Sequence, residues 1–392
     1  ESLRNGPIPY THVGTVANHV LDNPRHWVED LYYGESRNFL GTRNVREDVN
    51  SAYLMGGARW SKLRAAAGAR LERTEVRGQG FVPSRALATA AAIPDPVARA
   101  RADYNNSREV DGRYDDVFPG AYLTYHFNRN FVARANWSNS IGRPAFGNLL
   151  PAETVNDTLQ TLTVNNPSLL PQQALNIDFS LEYYFEPVGL LSAGVFQKDI
   201  ENYIVTAGGQ TVGPGADNGY GGNYSGYNLI TAFNAGSSRV QGLELAYQQE
   251  LTFLPGVLRG VGLFANYTRL TTEGDYGSAA ARPTNLIPNF VPTSANAGIS
   301  FRWKKFGSRF LVNHAGTTLV AYNANAARLR YRSKRTTANL SLTWALSPRL
   351  TFYWDFQNMF DAPQKWFYYK PSRVQDVFYG GTFINVGLRG NY

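Results

Sequence analysis

The sequence predicts an all-β protein, an antiparallel transmembrane β-barrel, and two patterns support this prediction. The first is strict alternation over residues 175–185, Leu-Asn-Ile-Asp-Phe-Ser-Leu-Glu-Tyr-Tyr-Phe, where odd positions are apolar or aromatic and even positions are polar as far as Glu182. Because successive side chains of a strand point to opposite faces, this strand has one apolar and one polar face. The alternation runs for about eleven residues, which is enough to cross a bilayer at a tilt, whereas most strands have about five or six.

The second pattern is the length of the connections between the predicted strands. Short turns occupy 61–62, 128–130, 186–189, 304–308 and 347–348. Long connections alternate with them and occupy 78–113, 141–173, 208–230, 271–288 and 361–375. Short turns on one rim and long loops on the other are typical of bacterial outer-membrane barrels, with the short turns periplasmic and the long loops extracellular.

The alternating pattern recurs along most of the chain. The clearest further segments are 63–72, 131–138, 295–303, 338–346, 350–357 and 384–392. About thirteen strands are predicted between Asp48 and Tyr392, and a fourteenth between Trp27 and Phe39, while residues 1–26 show little periodicity and receive no assignment. The face predicted to contact lipid carries Leu175, Ile177, Phe179, Trp354 and Phe356. The face predicted to point inward carries Asp178, Glu182, Asp355 and Arg389.

Two features of the strand ends and loops add detail. Aromatic residues cluster where strands are about to turn, which predicts an interfacial girdle. They are Tyr125, Phe127, Tyr183, Phe185, Phe301, Trp303 and Trp344. Within the first long loop, the Ala- and Arg-rich segment 84–101 begins with Ser84 and predicts a short helix on the rim.

Composition restricts the class of protein further. The 392 residues are 43% hydrophobic and 17% charged, and no run of about 18 apolar residues exists that would predict a transmembrane helix. There is no cysteine, which excludes disulfides and thiolate metal sites. The net charge of +8 raises the question of nucleic acid, but no basic stripe or zinc-finger spacing accompanies it. The strand charges are of mixed sign and indicate a wet lumen, so no nucleic-acid partner is predicted.

Neither catalysis nor metal binding is predicted. The nucleophile motif Gly-x-Ser-x-Gly is absent, and the glycine pairs do not sit between a strand and a helix as nucleotide loops do. His12, His19 and His26 recur every seven residues, but no carboxylate stands at ligand spacing beside them. The chain is therefore expected to be neither an enzyme nor a holder of a metal or cofactor.

An ordered set of motifs resembles one family. Residues 166–171, Asn-Pro-Ser-Leu-Leu-Pro, and the strand ending at 181–185 resemble the Asn-Pro-x-Leu-x-Pro…Glu-Tyr segment of TonB-dependent outer-membrane receptors. Residues 194–204 are similar to the family's Phe-x-Lys-x-Ile strand. The other matching positions, in the expected order, are Arg143-Pro144, 242–244, 266–268 and 358–361. The set covers residues 50–392, and it most resembles the large receptors common in Caulobacter- and Xanthomonas-like bacteria.

The resemblance implies a 22-stranded barrel filled by an N-terminal plug domain. It also implies energised uptake of a scarce nutrient across the bacterial outer membrane, with the TonB complex contacting the plug. This chain is too short for both parts and shows no plug-like segment and no signal peptide, so we expect the C-terminal portion of such a barrel. Its expected surroundings are the lipid bilayer and lipopolysaccharide. The terminal Tyr392, where Phe is more usual, is implied to be read by the barrel-insertion machinery, and Asn165 replaces the usual Gly before the Asn-Pro pair.

Other functions remain open at the level of sequence. A passive outer-membrane porin of about 14 strands would need no plug, and a soluble or surface β-rich adhesin is a third reading. A plug domain encoded upstream of Glu1 would favour the receptor, and a signal peptide directly before Glu1 would favour the pore.

The long loops are the predicted source of ligand contacts. The candidates are Tyr220, Tyr224, Tyr227, Arg143, Trp366 and Lys370. Aromatic faces beside polar groups suit sugars or aromatic chelators, and Arg143 and Lys370 suit an anionic siderophore. The alternatives are that the loop 208–227 is a solvated connection and that residues 366–369 pack against the upper girdle. The sequence does not choose between an iron chelate, a carbohydrate and another nutrient.

Overall fold

A computed structural model describes residues 13–186, 188–276, 284–323 and 325–390. The strands within these residues are β1 Asn44–Trp60, β2 Leu63–Phe81, β3 Ser107–His126, β4 Phe131–Gly142, β5 Glu153–Asn156, β6 Thr161–Val164, β7 Gln172–Phe185, β8 Gly189–Glu201, β9 Ile204–Thr211, β10 Asn228–Asn234, β11 Ser238–Glu250, β12 Val261–Gly274, β13 Thr293–Trp303, β14 Phe306–Ala315, β15 Thr318–Ala321, β16 Arg330–Arg332, β17 Arg335–Ser347, β18 Leu350–Gln357, β19 Gln364–Tyr368, β20 Val374–Phe378 and β21 Phe383–Gly390. The helices are α1 Val13–Asp22, α2 Leu31–Gly41, α3 Pro96–Tyr104 and α4 Phe146–Leu149, with 3₁₀ turns at Pro24–His26, Gly256–Gly260 and Ala326–Arg328. In the described part of the chain, no helix combines the length and apolar character needed to cross a membrane.

Thirteen of the described strands form one sheet. Their order is β1-β2-β3-β4-β7-β8-β11-β12-β13-β14-β17-β18-β21, and every neighbouring pair is antiparallel. The sheet is a meander that is not closed, because β1 and β21 are its two edges. This agrees with the thirteen strands predicted from the sequence.

Two smaller sheets arise from the long connections. One has the order β5-β6-β10-β9 and the other β15-β16-β19-β20. The first contains a parallel pair, β10 with β6, which joins the connection after β4 to the connection after β8. Buried hydrophobic clusters of the described residues lie largely among these connections: one contains Val76, Leu149, Leu169 and Ala232, and the other Val205, Ala235 and Tyr276. Packing is therefore concentrated at the long-loop rim.

The two-faced character predicted for residues 175–185 is confirmed. On one face Ile177 and Phe179 are 49% and 45% exposed, and they lie opposite Trp137 and Ala135 of β4. On the other face the Arg134 guanidinium binds the Glu182 carboxylate at 2.8 Å. The apolar face is open to its surroundings, and the polar face is cross-linked by its own charges.

Aromatic rings meet at the short-turn ends of the strands, as the predicted girdle requires. Contacts with centroid distances of 4.7–6.2 Å join Tyr125 to Phe127, Phe127 to Phe131, Tyr183 to Phe185, Phe185 to Tyr247, Phe301 to Phe306 and Phe306 to Trp344. Rings that bridge neighbouring strands at one level form the kind of aromatic row seen at a membrane interface.

The exposed apolar face ends abruptly on the first three strands, which are 17, 19 and 20 residues long. Ala52, Leu71 and Val117 form its last apolar row. Two residues further along, Arg73 binds Asp115 at 2.7 Å on the same face. Side chains two apart share a face, so this change from apolar to ionic marks the upper limit of the apolar band, and the strands project beyond it.

Two predictions need correction, one connection was not predicted, and one residue lies outside the described part of the chain. The strand predicted between Trp27 and Phe39 is wrong, because α2 lies there and the Asp30 carboxylate caps it by accepting from the Tyr33 amide at 2.9 Å. The rim helix begins at Pro96 with Asp95 as its cap, rather than at Ser84. A sixth long connection, 316–334, was not predicted. Tyr392 lies outside the described residues.

Candidate ligand-binding site

The Gly-rich loop between β9 and β10 is organised around one asparagine. The Asn218 side-chain oxygen accepts hydrogen bonds from the Tyr220 and Gly222 amides at 2.9 and 3.1 Å, and its amide donates to the carbonyls of Gly213 and Asn223. Five glycines of the loop have positive φ: Gly215, Gly219, Gly221, Gly222 and Gly226. The glycine content that stood out in the sequence is thus required by the backbone path.

The three predicted tyrosines of this loop form one cluster, the tyrosine shelf (Tyr220, Tyr224 and Tyr227). The rings of Tyr220 and Tyr224 meet edge to face at 6.0 Å, and those of Tyr224 and Tyr227 lie 5.6 Å apart. The Tyr227 hydroxyl donates to Asp157 at 2.9 Å. All three side chains are half-buried. The shelf is therefore a cluster of contacting, mutually inclined rings, fixed at one end to the connection that follows β4.

A single arginine joins the shelf to two other loops. The Arg85 guanidinium lies 5.1 Å above the Tyr220 ring and forms a two-pronged ion pair with Glu153 at 2.6 and 2.7 Å. The Glu153 side chain is only 6% exposed. The Arg85 carbonyl also accepts from the Asn223 side chain at 2.5 Å. Arg85 thus connects the loops after β2, β4 and β9.

The electrostatics keep the shelf hydroxyls neutral. Burial raises the pKa of the Tyr220 and Tyr224 hydroxyls, and the hydrogen bond to Asp157 raises the pKa of Tyr227. The hydrogen bonds to Glu153 raise the pKa of Arg85, so its guanidinium stays protonated. At neutral pH each shelf hydroxyl can both donate and accept a hydrogen bond.

The loop that carries Arg85 is also anchored by contacts with α2 and α3. Asp103 of α3, which is 1% exposed, accepts from the Ala88 amide at 2.6 Å and from the Tyr32 hydroxyl at 2.7 Å. The Arg99 guanidinium lies 4.5 Å over the Tyr32 ring. Through these contacts α2 packs on α3, so the segment preceding β1 belongs to the same loop assembly as the shelf.

The remaining predicted site residues lie apart from the shelf. Arg143 binds Glu72 of β2 at 2.5 Å and lies 3.9 Å from Glu47 of β1, so its charge is used within the barrel wall. Trp366 lies on β19 in the other small sheet, and Lys370 is exposed in the turn after that strand. The neighbour of Trp366, Phe367, is buried and stacks on Tyr331 at 5.3 Å.

Three residues of this region were not predicted: Arg85, Glu153 and Asp157. Their contacts join positions 68 residues apart for Arg85 with Glu153 and 70 apart for Tyr227 with Asp157. No local pattern signals such pairs. Within the part of the chain that the structure describes, no group of three or more histidines and carboxylates could hold a metal ion.

The ion pair between Arg85 and Glu153 makes a testable contribution to loop order. The variant Glu153→Gln should weaken docking of the Arg85 loop by about 1.5–3 kcal/mol, because it removes a charge-assisted contact from a sheltered site. Limited trypsin digestion should then cleave after Arg85 much faster than in the parent protein. The matched control is Glu35→Gln, which breaks the more exposed pair with Arg101. Equal cleavage rates in the two variants would show that the pair does not fix the loop.

Comparisons with known proteins place this arrangement in a class. A long antiparallel meander with one apolar face, short turns on one rim and interlocked loops on the other defines a β-barrel of the receptor type. The family model "TonB dependent receptor-like, beta-barrel" matches residues 4–359. The chain belongs to this family. TonB-dependent receptors are outer-membrane proteins of Gram-negative bacteria, and the family consists of receptors and transporters rather than enzymes.

Solved structures agree on the fold. Fiu from E. coli K12, a ferric-catecholate import receptor in its closed form, is 16% identical with a TM-score of 0.60, over 88% of this chain and 45% of that chain. FyuA from Yersinia pestis, a ferric yersiniabactin uptake receptor, is 15% identical with a TM-score of 0.59, over 89% and 46%. The siderophore receptor PiuA from Acinetobacter baumannii is 15% identical with a TM-score of 0.56, over 89% and 42%. The chain thus spans less than half of each receptor. Comparison with curated protein sequences gives no match.

Proposed function

We propose that the chain forms the C-terminal part of the barrel of an outer-membrane receptor, which takes up a scarce nutrient by TonB-dependent, energised transport. The strongest support is the family match over residues 4–359, which includes twelve of the thirteen strands of the wall and most of the loop assembly above it. In this proposal the barrel breaks no bond in the ligand. The loops capture it, and the polar face of the wall lines its path.

The parts that this proposal needs beyond the chain are further strands, which would complete a 22-stranded barrel, and a plug domain that contacts the TonB complex. An open strand edge in lipid would leave backbone groups unpaired, so β1 and β21 must each find a partner strand. The outer surface would contact lipid and lipopolysaccharide, and Tyr392 would serve the barrel-insertion machinery. Membership of a Caulobacter- or Xanthomonas-like subgroup is part of the same proposal.

A passive porin is the less favoured function. A pore needs an open mouth, whereas here the loops after β2, β4 and β9 are joined by the contacts of Arg85. The solved structures with the same fold are described as import or uptake receptors, and the siderophores in their names are a first set of candidate ligands for this protein.

Energised uptake can be separated from passive flow in cells. We expect a strain that lacks the full-length gene to lose growth on one nutrient within a panel of ferric siderophores and glycans. The same growth should be lost when TonB is deleted and the receptor is kept. Growth that survives TonB deletion, together with steady conductance of the purified full-length protein in planar bilayers, would favour the porin instead.

The tyrosine shelf is the proposed capture site, and its removal should have a measurable effect. The double variant Tyr220→Ala, Tyr224→Ala removes two aromatic faces and should weaken ligand binding to whole cells by about 10-fold, since aromatic contacts contribute about 0.5–1.5 kcal/mol each. Tyr33→Ala, at an exposed tyrosine of α2, is the matched control. Unchanged binding of the nutrient by the double variant, with the receptor present at normal surface levels, would remove the shelf from the site.

A further inference from the structure

We infer that the tyrosine shelf binds an uncharged, hydroxyl-rich ligand of the carbohydrate class rather than an anionic metal chelate. This inference rests on the proposed function and narrows its substrate class. It concerns the charge and hydrogen-bonding character of the surface that the described residues of three loops build around Tyr220, Tyr224 and Tyr227.

The charge around the shelf disfavours an anionic ligand. The charged groups that act on the three hydroxyls are one guanidinium, Arg85, and two carboxylates, Glu153 and Asp157. Because Glu153 holds both prongs of Arg85 at 2.6 and 2.7 Å, the cation is already neutralised, and the Asp157 charge is left over. An anionic ligand would meet a negative surplus here, since the charge of the one cation acting on these hydroxyls is balanced by Glu153.

The other two cations predicted to bind the ligand, Arg143 and Lys370, lie away from the shelf. Arg143 is bound to Glu72 at 2.5 Å and faces Glu47, and Lys370 belongs to the turn between β19 and β20, in the other small sheet. Neither residue is among the groups that act on the shelf hydroxyls. Among the described residues, the shelf therefore has a single neighbouring cation, Arg85, and not the arginine or lysine cluster that recognition of a carboxylate-rich or catecholate complex would use.

The shelf offers a ligand aromatic rings, neutral hydroxyls and one carboxylate. The three rings are in contact but inclined to one another, by 67° between Tyr220 and Tyr224 and by 53° between Tyr224 and Tyr227. A half-buried ring of this kind suits the apolar C–H face of a pyranose ring. Among the described residues, the Tyr220 and Tyr224 hydroxyls have no hydrogen-bond partner, and burial raises the pKa of both, so they remain neutral. Asp157 adds a carboxylate acceptor for ligand hydroxyls. Aromatic rings combined with neutral hydroxyls that donate and accept, and with one carboxylate acceptor, match the groups that an oligosaccharide offers.

The test is binding of defined probes to the purified full-length receptor, measured by calorimetry. The probes are maltohexaose, xylohexaose and hexa-N-acetylchitohexaose as neutral oligosaccharides, hexagalacturonate as an anionic one, and the ferric complex of three 2,3-dihydroxybenzoates. We expect at least one neutral probe to bind at least 10-fold more tightly than either anionic probe. Tyr220→Ala, Tyr224→Ala should weaken that binding by about 10-fold, and Tyr33→Ala should not. The milder pair Tyr220→Phe, Tyr224→Phe keeps the rings and should give an intermediate loss.

Two outcomes would overturn the inference: binding of the ferric complex or hexagalacturonate that depends on Tyr220 and Tyr224, or no shelf-dependent binding of any neutral probe. Either result leaves the receptor proposal standing, because that proposal is judged by the loss of nutrient uptake on TonB deletion. If growth on every nutrient is independent of TonB, the receptor proposal fails, whichever probe the shelf binds.

Discussion

Replacing Leu245 by arginine is expected to lower the free energy of unfolding in lipid by about 2–4 kcal/mol, whereas arginine at the adjacent Ala246 should cost less than about 1 kcal/mol. Leu245 is 41% exposed and lies on the apolar face between Ala193 and Tyr267. Ala246 lies on the polar face between Ser192 and Asn266. The two positions share a strand and a depth in the membrane, so their difference isolates which face meets lipid.

The measurement is urea unfolding of the full-length receptor in lipid vesicles, followed by the gel-mobility shift of folded barrels. Leucine at 246 serves as a control for side-chain size, because it enlarges that residue without adding charge. If arginine costs the same at both positions, the assignment of the apolar face to lipid is wrong. If it costs more at 246, the two faces have been exchanged.

The wall of the fold was predictable because its signal is local. Residues two apart share a face, so the eleven residues 175–185 are enough to predict both faces of that strand. Its pairing with β8 follows from the short turn between the two strands. Its other partner is β4, although the long connection 143–171 separates these two strands. The same reasoning failed for residues 31–41, where Tyr32 and Tyr33 resemble strand residues. There the Asp30 cap and the packing of Tyr32 against Asp103 favour a helix.

The site was predictable only in part, for a related reason. The shelf tyrosines lie within eight residues of one another, and a loop rich in glycine could bring them together. Arg85, by contrast, meets Glu153 across 68 residues and Asn223 across 138. Such contacts depend on the paths of whole loops, which carry no periodic signal. Arg143 directly follows the last residue of β4, and its pairing with Glu72 of β2 is another contact that its own position in the sequence does not signal.

Glycines on the polar face of the sheet are a second place where a single substitution should strongly lower the free energy of unfolding. Phe196, Phe264 and Tyr353 each lie over a glycine of the neighbouring strand: Gly242, Gly298 and Gly387 respectively. A side chain at any of these glycines would occupy the space of the ring. At Gly298 a Cβ atom would stand 2.4 Å from two atoms of the Phe264 ring and 2.7 Å from the Phe310 carbonyl oxygen.

Gly298→Val should therefore lower the free energy of unfolding by about 3 kcal/mol or prevent insertion, because the clash with a backbone oxygen cannot be relieved by turning a side chain. Displacing the Phe264 ring would also remove its contact with the Arg309 guanidinium, now 4.8 Å away. Gly194→Val is the matched control, since its Cβ would meet only ordinary contacts at 3.6 and 3.7 Å. The double variant Gly298→Ala, Phe264→Ala should recover part of the loss of Gly298→Ala alone, as measured by urea unfolding in vesicles. If Gly298→Val and Gly194→Val prove equally stable, the rings over these glycines do not hold the strands together.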